Sequence, residues 1–175
     1  MDLKTTIRTI PDYPSPGIMF RDVTTLMADS AAFAQATAEM AAPWRDKKID
    51  HVVGIEARGF IFGSTLALAL GAGFVPLRKP GKLPYETMSE DYQLEYGTDT
   101  LHIHTDAIKA GQTVLLIDDL IATGGTALAG VNLLKRVGAE IIGAGFLVDL
   151  PELGGADLLR AQKLQVEALL SFEGH

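Results

Sequence analysis

The residues best suited to chemistry lie within positions 113–126. An apolar run rich in β-forming residues ends there in two adjacent carboxylates, Asp118 and Asp119, and a small loop centred on Gly124 and Gly125 follows. Carboxylates accept hydrogen bonds from vicinal hydroxyls, and they also hold water around a divalent cation. Glycines let backbone N–H groups approach an anion with no Cβ in the way. The segment is therefore expected to bind a sugar phosphate, which presents hydroxyls and an anion together.

The same segment predicts the elements that position these groups. The expected anion-binding loop consists of Ala122, Thr123, Gly124, Gly125 and Thr126. A helical pattern follows, so the unsatisfied N–H groups of a helix N-terminus should face the loop. In open α/β sheets, ligands bind beyond the carboxyl ends of strands, where both acids are expected. A tight turn with Thr126 as a helix cap would explain the loop, but not two carboxylates after a buried strand, because their desolvation is costly.

Apolar runs and helical patterns alternate along the rest of the chain. The runs predict strands at 51–55, 74–77, 113–117 and 141–148, and the helical patterns lie near 31–40, 60–70 and 126–137. Uniformly apolar strands separated by helices predict an α/β fold with a twisted, mainly parallel sheet flanked by helices. Pro43 is expected to end or kink the first long helix.

Residues 80–104 break this rhythm and predict a flexible β-hairpin arm, with strand-like stretches at 92–96 and 101–104. Residues from about 1 to 25 are expected to form a small hood over the site. The apolar run 166–170 near the C-terminus is expected to join that hood. The length of 175 residues suits a single domain, spanning 1–175.

Composition and charge exclude several classes of protein. The formal net charge of −7 argues against a nucleic-acid-binding surface, which normally needs a basic patch. The absence of cysteine excludes disulfides and cysteine-ligated metal. Residues 59–77 carry no charge, but glycines and Pro76 interrupt them, so a buried helix, turn and strand are expected rather than a membrane span. The N-terminus has no apolar signal core, so a cytoplasmic protein is expected.

Two other patterns carry less weight. His102 and His104 share a strand face, but no third ligand lies nearby in the sequence, so a solvated hairpin is expected rather than a metal site. Gly81-Lys82 is followed by Leu83 and no glycine-rich dinucleotide fingerprint is present, which disfavours ATPase and dinucleotide-binding functions. No metal bound directly by side chains is expected.

Five motifs, taken in order, carry a family resemblance. Besides the segment 113–126, they are Pro14-Ser-Pro-Gly17 with Phe20-Arg21-Asp22, Glu56-Ala-Arg-Gly-Phe60, Arg78-Lys-Pro-Gly-Lys-Leu-Pro84 and Tyr92-Gln-Leu-Glu-Tyr-Gly97. Together they resemble the adenine phosphoribosyltransferases, a branch of the type I phosphoribosyltransferases. The resemblance extends from about residue 10 to about residue 172.

The resemblance implies a type I phosphoribosyltransferase fold and a role in purine salvage. Such an enzyme transfers the phosphoribosyl group of phosphoribosyl pyrophosphate (PRPP) to adenine, giving AMP and pyrophosphate. It implies Mg²⁺ carried by PRPP, and a homodimer. Two alternatives remain open: a xanthine or hypoxanthine phosphoribosyltransferase, and a non-catalytic PRPP-sensing regulator on the same fold. A catalytically inactive relative is a third.

The resemblance also implies roles for residues at the PRPP end of the site. The loop 122–126 should hold the 5′-phosphate, and Asp118 and Asp119 should meet the ribose hydroxyls. Arg58 should contact pyrophosphate and act in catalysis, on a loop that often contains a non-proline cis peptide, here Glu56-Ala57. The remaining expected pyrophosphate-binding residues are Lys82, Arg78 and Lys79.

Other residues are implied at the adenine end. The backbone of Met19 should recognise the polar edge of the base, and Phe20 and Leu120 should sandwich its ring. Arg21 should sit near the base or bridge to Glu95. Glu95, on the arm, should accept or relay the proton of adenine N7 or N9 when the arm closes.

Overall fold

The computed structural model describes residues 1–94 and 96–174. These residues form nine strands: β1 (Arg8–Pro11), β2 (Met19–Asp22), β3 (His51–Ile55), β4 (Gly73–Leu77), β5 (Thr87–Gln93), β6 (Thr98–His104), β7 (Thr113–Ile121), β8 (Glu140–Asp149) and β9 (Gln165–Ser171). The α-helices are α1 (Thr24–Ala28), α2 (Ser30–Ala41), α3 (Arg58–Leu70), α4 (Gly125–Arg136) and α5 (Gly155–Arg160). Short 3₁₀ helices occupy Leu3–Thr6, Ala42–Trp44 and Pro151–Leu153.

A five-stranded sheet in the order β4-β3-β7-β8-β9 lies at the centre, and all of its pairings are parallel. Helices cover both faces, so each face has its own buried core. On one face Leu115 packs with Trp44 and Phe62, and on the other Leu116 packs with Val131. The predicted α/β class, with a mainly parallel sheet flanked by helices, is confirmed.

Local signals mark the start of α2 and the ends of α2 and α3. Asp29 caps α2 by accepting hydrogen bonds from the N–H groups of Ala31 and Ala32, at 3.0 and 3.1 Å. Pro43 lies in the 3₁₀ turn that ends this helix. Gly71 ends α3 in the left-handed conformation, with φ of 68°. The uncharged stretch is thereby divided into a helix and a strand, and within the described residues no helix is long and apolar enough to cross a bilayer.

Several boundaries differ from the sequence prediction. β7 continues to Ile121, so Asp118 and Asp119 lie within the strand rather than after it. The long neighbouring strand β8 supplies partners as far as the pairing of Ile121 with Asp149, which local sequence does not reveal. β5 ends at Gln93 instead of covering 92–96, and α3 begins at Arg58 instead of 60.

The run 166–170 was expected to join the hood, and the structure places it in the central sheet. It forms most of β9, an edge strand paired in parallel with β8 in the central sheet, and its apolar residues contribute to the cores on both faces. The residues just beyond it reach the N-terminal segment, where the Phe172 ring lies 4.4 Å from the Arg21 guanidinium carbon.

Two antiparallel pairs lie outside the central sheet. β1 and β2 form a small pair near the N-terminus, and β5 and β6 form the predicted hairpin. The hairpin is attached to the core at Arg78, whose backbone N–H and C=O both bond to His102, at 3.0 and 2.8 Å. Tyr92 of β5 is buried, with 7% of its surface exposed, and packs against the core beside α4.

Candidate functional site

A cavity of about 550 Å³ lies at the carboxyl-terminal side of the central sheet. It is lined by β2, by the loop before α3, by the end of β7 with the loop that follows, and by parts of β5 and of the segment after β8. The predicted site residues that line it are Met19, Phe20, Arg21, Arg58, Lys79, Asp118, Asp119, Leu120, Ala122, Thr123, Gly124, Gly125 and Thr126. Residues distant in sequence thus share one cavity.

The two carboxylates are in different environments. Asp119 is 7% exposed, and its Oδ2 accepts a hydrogen bond of 2.6 Å from Arg58 Nε. Asp118 Oδ1 accepts one of 2.8 Å from the backbone N–H of Asp119. Asp118 Oδ1 also occupies the space that a side chain at position 59 would need, since a Cβ on Gly59 would lie 2.8 Å from Asp118 Oδ1. Gly59 therefore makes room for the Asp118 carboxyl.

The surroundings of the carboxylate pair shift the pKa values of Asp118 and of Arg58. Burial, and then the charge of Asp119, raise the pKa of Asp118 well above its usual range. The hydrogen bond from Arg58 to Asp119, together with their opposite charges, raises the pKa of Arg58 and keeps the guanidinium charged. The pair therefore offers a carboxylate hydrogen-bonded to arginine beside a carboxyl group, that of Asp118, whose pKa is raised.

The loop after β7 has the form of an anion-binding site. Gly124 adopts φ of 89°, and α4 begins at Gly125; among the described residues no side chain caps this helix end. The first N–H groups of α4 are therefore free of side-chain caps from the described residues and lie at the cavity, where an anion could accept hydrogen bonds from them. The loop rests on Gly155, whose N–H donates to the C=O of Ala122 at 3.0 Å.

Gly155 was missed in the sequence. A Cβ at this position would lie 2.5 Å from Ala122 O and 2.8 Å from Gly124 N, so only glycine fits beneath the loop. The Gly154-Gly155 pair, a turn signal that begins six positions after the strand run 141–148, could have pointed to it. Other lining residues that sequence reasoning missed are Ile18, Tyr92, Leu150 and Leu153.

The basic residues at the other end of the cavity differ in their placement. Arg58 and Lys79 line the cavity, and the Glu56-Ala57 peptide bond beside them is cis, as expected. Arg78 does not line it and donates from Nε to Glu56 Oε1 at 2.8 Å. Lys82 is exposed on a turn outside the cavity. The structure therefore does not bring Arg78 and Lys82 to the cavity.

Lys79 is held by the arm. Its ammonium donates to Tyr92 Oη at 2.7 Å and to the carboxylate of Asp99. Burial acts to lower the pKa of Lys79, but the hydrogen bonds to Asp99 and Tyr92 raise it, and the balance leaves it raised. Glu95, the expected proton acceptor on the same arm, lies outside the described residues.

The expected base-binding residues also line the cavity. Phe20 is half-buried and meets the ring of Tyr13 edge to face, with centroids 5.1 Å apart. Leu120 also lines the cavity, and Met19 is 38% exposed. Arg21 donates from Nη1 to Thr9 Oγ1 at 2.7 Å. Apolar surfaces from β2 and β7 thus border the same space, as a flat base requires.

Across residues 1–94 and 96–174, no group of three or more His, Cys, Asp and Glu side chains has the arrangement of a metal site. His102 Nδ1 instead lies 3.0 Å from Thr87 Oγ1, and the ring of His104 packs edge to face on Tyr85.

Comparisons with known proteins agree with this geometry. Residues 25–166 match the model of the phosphoribosyl transferase domain family. The chain is 58% identical to the adenine phosphoribosyltransferase of Bradyrhizobium sp. strain BTAi1, over 100% of this chain and 98% of that protein. It is 60% identical to that of Maricaulis maris, over 99% of each.

Solved structures give the same result. The adenine phosphoribosyltransferase of Rhodothermus marinus is 49% identical, with a TM-score of 0.91 over 97% of this chain and 96% of that one. The Saccharomyces cerevisiae enzyme, solved with an imino-altritol bisphosphate and adenine, is 39% identical with a TM-score of 0.85, over 95% and 94% of the two chains. The chain therefore belongs to the phosphoribosyltransferase family and, within it, to the adenine phosphoribosyltransferases.

Proposed function

We propose that this protein transfers the phosphoribosyl group of PRPP to adenine, giving AMP and pyrophosphate in purine salvage. The observation that carries the proposal is the single cavity that joins an anion-binding loop, a carboxylate pair and an apolar wall. PRPP needs the first two, and a flat base needs the third. The full-length similarity to adenine phosphoribosyltransferases supports adenine as the base.

The loop 122–126 and the acid pair hold the phosphoribosyl group. The N–H groups at the start of α4 and the hydroxyls of Thr123 and Thr126 bind the 5′-phosphate. Asp118 and Asp119 bind the ribose hydroxyls, and the charge of Asp119 stabilises the positive charge that develops on the ribose ring. The hydrogen bond to Asp119 keeps the Arg58 guanidinium beside the ribose. Arg58 can therefore act on both the ribose and the pyrophosphate, which the breaking bond joins.

Arg58 and Lys79 stabilise the leaving pyrophosphate. Both line the cavity and both carry positive charge, which offsets the charge that builds on the leaving group. We assign Arg78 to holding Glu56, and give Lys82 a role in pyrophosphate binding only if the arm moves towards the site.

Mg²⁺ is proposed to enter with PRPP. A divalent cation neutralises pyrophosphate charge and strengthens it as a leaving group. The donor set fits a cation held through water better than one held directly, because Asp119 is already paired with Arg58 and Asp118 tends to keep its proton. These carboxyls would orient the water molecules of a cation that PRPP carries.

Adenine is held between Phe20 and Leu120, with the backbone of Met19 reading its polar edge. Holding the base in line with the ribose carbon supplies proximity, and closing the cavity excludes water that would hydrolyse PRPP. Glu95 stays the predicted proton acceptor for the base.

A homodimer is also part of the proposal. Leu68 is 85% exposed and Ile61, seven positions earlier on the same face of α3, is 39% exposed. Two exposed apolar side chains on one helix face suit contact with a second copy of the chain, in agreement with the dimer that the family resemblance implies. The substrates belong to cytoplasmic metabolism, and we propose that location for the enzyme. Nucleic acid and membranes are not among its proposed partners.

The test is an activity assay with PRPP and Mg²⁺ against adenine, hypoxanthine, guanine and xanthine in parallel. AMP formed from adenine alone is the expected result. Turnover only with an oxopurine would overturn the roles of Met19, Phe20 and Leu120 and favour the hypoxanthine or xanthine alternative. PRPP binding without turnover of any base would favour a PRPP-sensing regulator.

A further inference from the structure

The arm contributes a carboxylate, Asp99, directly behind a wall of the cavity. Lys79 and Tyr92 both line the cavity, whereas Asp99 does not. Asp99 nevertheless contacts both: its carboxylate accepts from the Lys79 ammonium, and its Oδ2 accepts from Tyr92 Oη at 3.3 Å. A charged group of the arm is thus tied to a basic group of the site.

Hydrogen bonds hold both the backbone and the side-chain ammonium of Lys79. Its backbone N–H donates to Glu56 Oε1 at 3.3 Å, and its ammonium donates to Tyr92 Oη at 2.7 Å and to Asp99. Asp99 is itself oriented, because its Oδ1 accepts from the N–H of Thr100 at 2.8 Å. Flexible lysine side chains lose much rotamer freedom when they bind, and these contacts remove that freedom in advance.

An ammonium has three N–H donors and no acceptor. Among the described residues two of the three are used, by Tyr92 and Asp99, and one is left for a ligand. The Lys79 side chain remains 34% exposed, so that donor can be reached from the cavity.

We propose that Asp99 is a positioning residue for Lys79, which holds the ammonium at the cavity wall so that its third N–H meets the pyrophosphate of PRPP. The inference rests on the proposed function, since it assigns the ligand of that wall. It also gives the arm a role before any closure, because Asp99 and Tyr92 lie on its two strands.

If Asp99 instead weakened PRPP binding, its replacement would change KM for PRPP in the opposite direction. A carboxylate near pyrophosphate repels it, and a carboxylate that competed for Lys79 would weaken PRPP binding. Removing the charge of Asp99 would then tighten PRPP binding, whereas loss of positioning weakens it. The sign of the change therefore decides between the two.

The test compares Asp99→Asn with Asp91→Asn. Asp91 is an exposed arm carboxylate that accepts from Thr100 Oγ1 at 2.8 Å and does not line the cavity, so it is the matched control. Asparagine replaces a charge-assisted contact with a weaker neutral one, so KM for PRPP should rise about three- to tenfold in Asp99→Asn. KM for adenine should not change, the melting temperature should fall by no more than about 4 °C because a partly exposed ion pair contributes little to stability, and Asp91→Asn should match the unchanged protein.

A double-mutant cycle tests whether Asp99 acts through Lys79. In a Lys79→Met background, Asp99→Asn should have no further effect on KM for PRPP. An additional rise there would overturn the inference, as would an unchanged or lower KM for PRPP in Asp99→Asn alone, or an equal effect in Asp91→Asn.

Calorimetry with pyrophosphate separates this inference from the proposed function, because it needs no turnover. If the unchanged protein shows no transfer to adenine but Asp99→Asn weakens pyrophosphate binding, the proposed function fails and the positioning role stands. If transfer to adenine is found and neither KM nor pyrophosphate binding changes in Asp99→Asn, the positioning role fails alone.

Discussion

Gly155 is the position where a single methyl group should disturb the phosphate loop most directly. In Gly155→Ala the new Cβ would lie 2.5 Å from Ala122 O, 2.8 Å from Gly124 N and 2.8 Å from Ile121 Cγ1. Carbon and oxygen atoms in close protein contact are at least about 3.3 Å apart, so the loop must move by about 0.8 Å. Two of the three atoms belong to the backbone, which cannot rotate away as a side chain does.

Two consequences follow for the measured properties of Gly155→Ala. Overpacking costs about 1–3 kcal/mol, which lowers the melting temperature of a chain of this size by roughly 2–12 °C. A displacement of this size at a substrate-binding loop lowers kcat/KM for PRPP by up to about 100-fold. Thermal unfolding and steady-state kinetics with PRPP as the varied substrate measure both effects.

Gly154→Ala is the matched control. Gly154 has φ of 81° and open space around a Cβ, so alanine there is strained without a clash. It should destabilise the fold by about 1–2 kcal/mol and leave kcat/KM for PRPP unchanged. If Gly155→Ala keeps both its melting temperature and its kcat/KM, or if Gly154→Ala loses as much activity, the packing of the loop on Gly155 does not control PRPP binding.

Three further changes test other parts of the site. Replacing Asp118 and Asp119 together by asparagine should lower kcat by about 100-fold or more while circular dichroism stays native; near-normal turnover would remove the acids from the mechanism. Leu120→Ala should raise KM for adenine by about five- to tenfold and leave KM for PRPP unchanged, because it removes an apolar wall of the base end; an equal rise for both substrates would contradict that role. The hydroxyl of Thr24, and then Arg8, lower the pKa of Asp22 from 3.8 to about 2. Because a lowered folded-state pKa stabilises the fold only while the group is ionised, Asp22→Asn should be less stable than the unchanged protein above pH 3.8, and urea titrations should show the difference vanish as the pH falls to about 2.

The sequence predicted those parts of the fold that depend on local patterns. Apolar runs located four central strands within a few residues, and the acid pair with its glycine loop was found because its residues are contiguous in the chain. The arm was also found from composition, although its first strand lies earlier than expected. These features are encoded within windows of about a dozen residues, which is the length over which hydrophobic periodicity is informative.

Local sequence patterns did not predict contacts between distant segments of the chain. Gly155 is indispensable only because the loop more than thirty positions earlier rests on it, and the Gly154-Gly155 pair signals a turn without revealing that approach. Asp99 looks like any polar residue of a solvated hairpin until the fold brings it to Lys79. Lys82 shows the reverse, since its motif suggested a ligand-binding residue and the structure leaves it on an exposed turn. Spacing alone does not distinguish these cases.

The contact between Arg21 and the residues after β9 has a consequence for how the protein matures on the ribosome. Arg21 Nη2 donates to the C=O of Glu173, a partner 152 positions away. At a synthesis rate of about 5–20 residues per second, that partner appears roughly 8–30 s after Arg21. Until then β8 has no neighbour on its outer edge, and an unpaired strand edge invites association with other chains. The phosphate loop rests on Gly155, which precedes Glu173 in the chain, so in a nascent chain that loop should form before Arg21 gains its last partner.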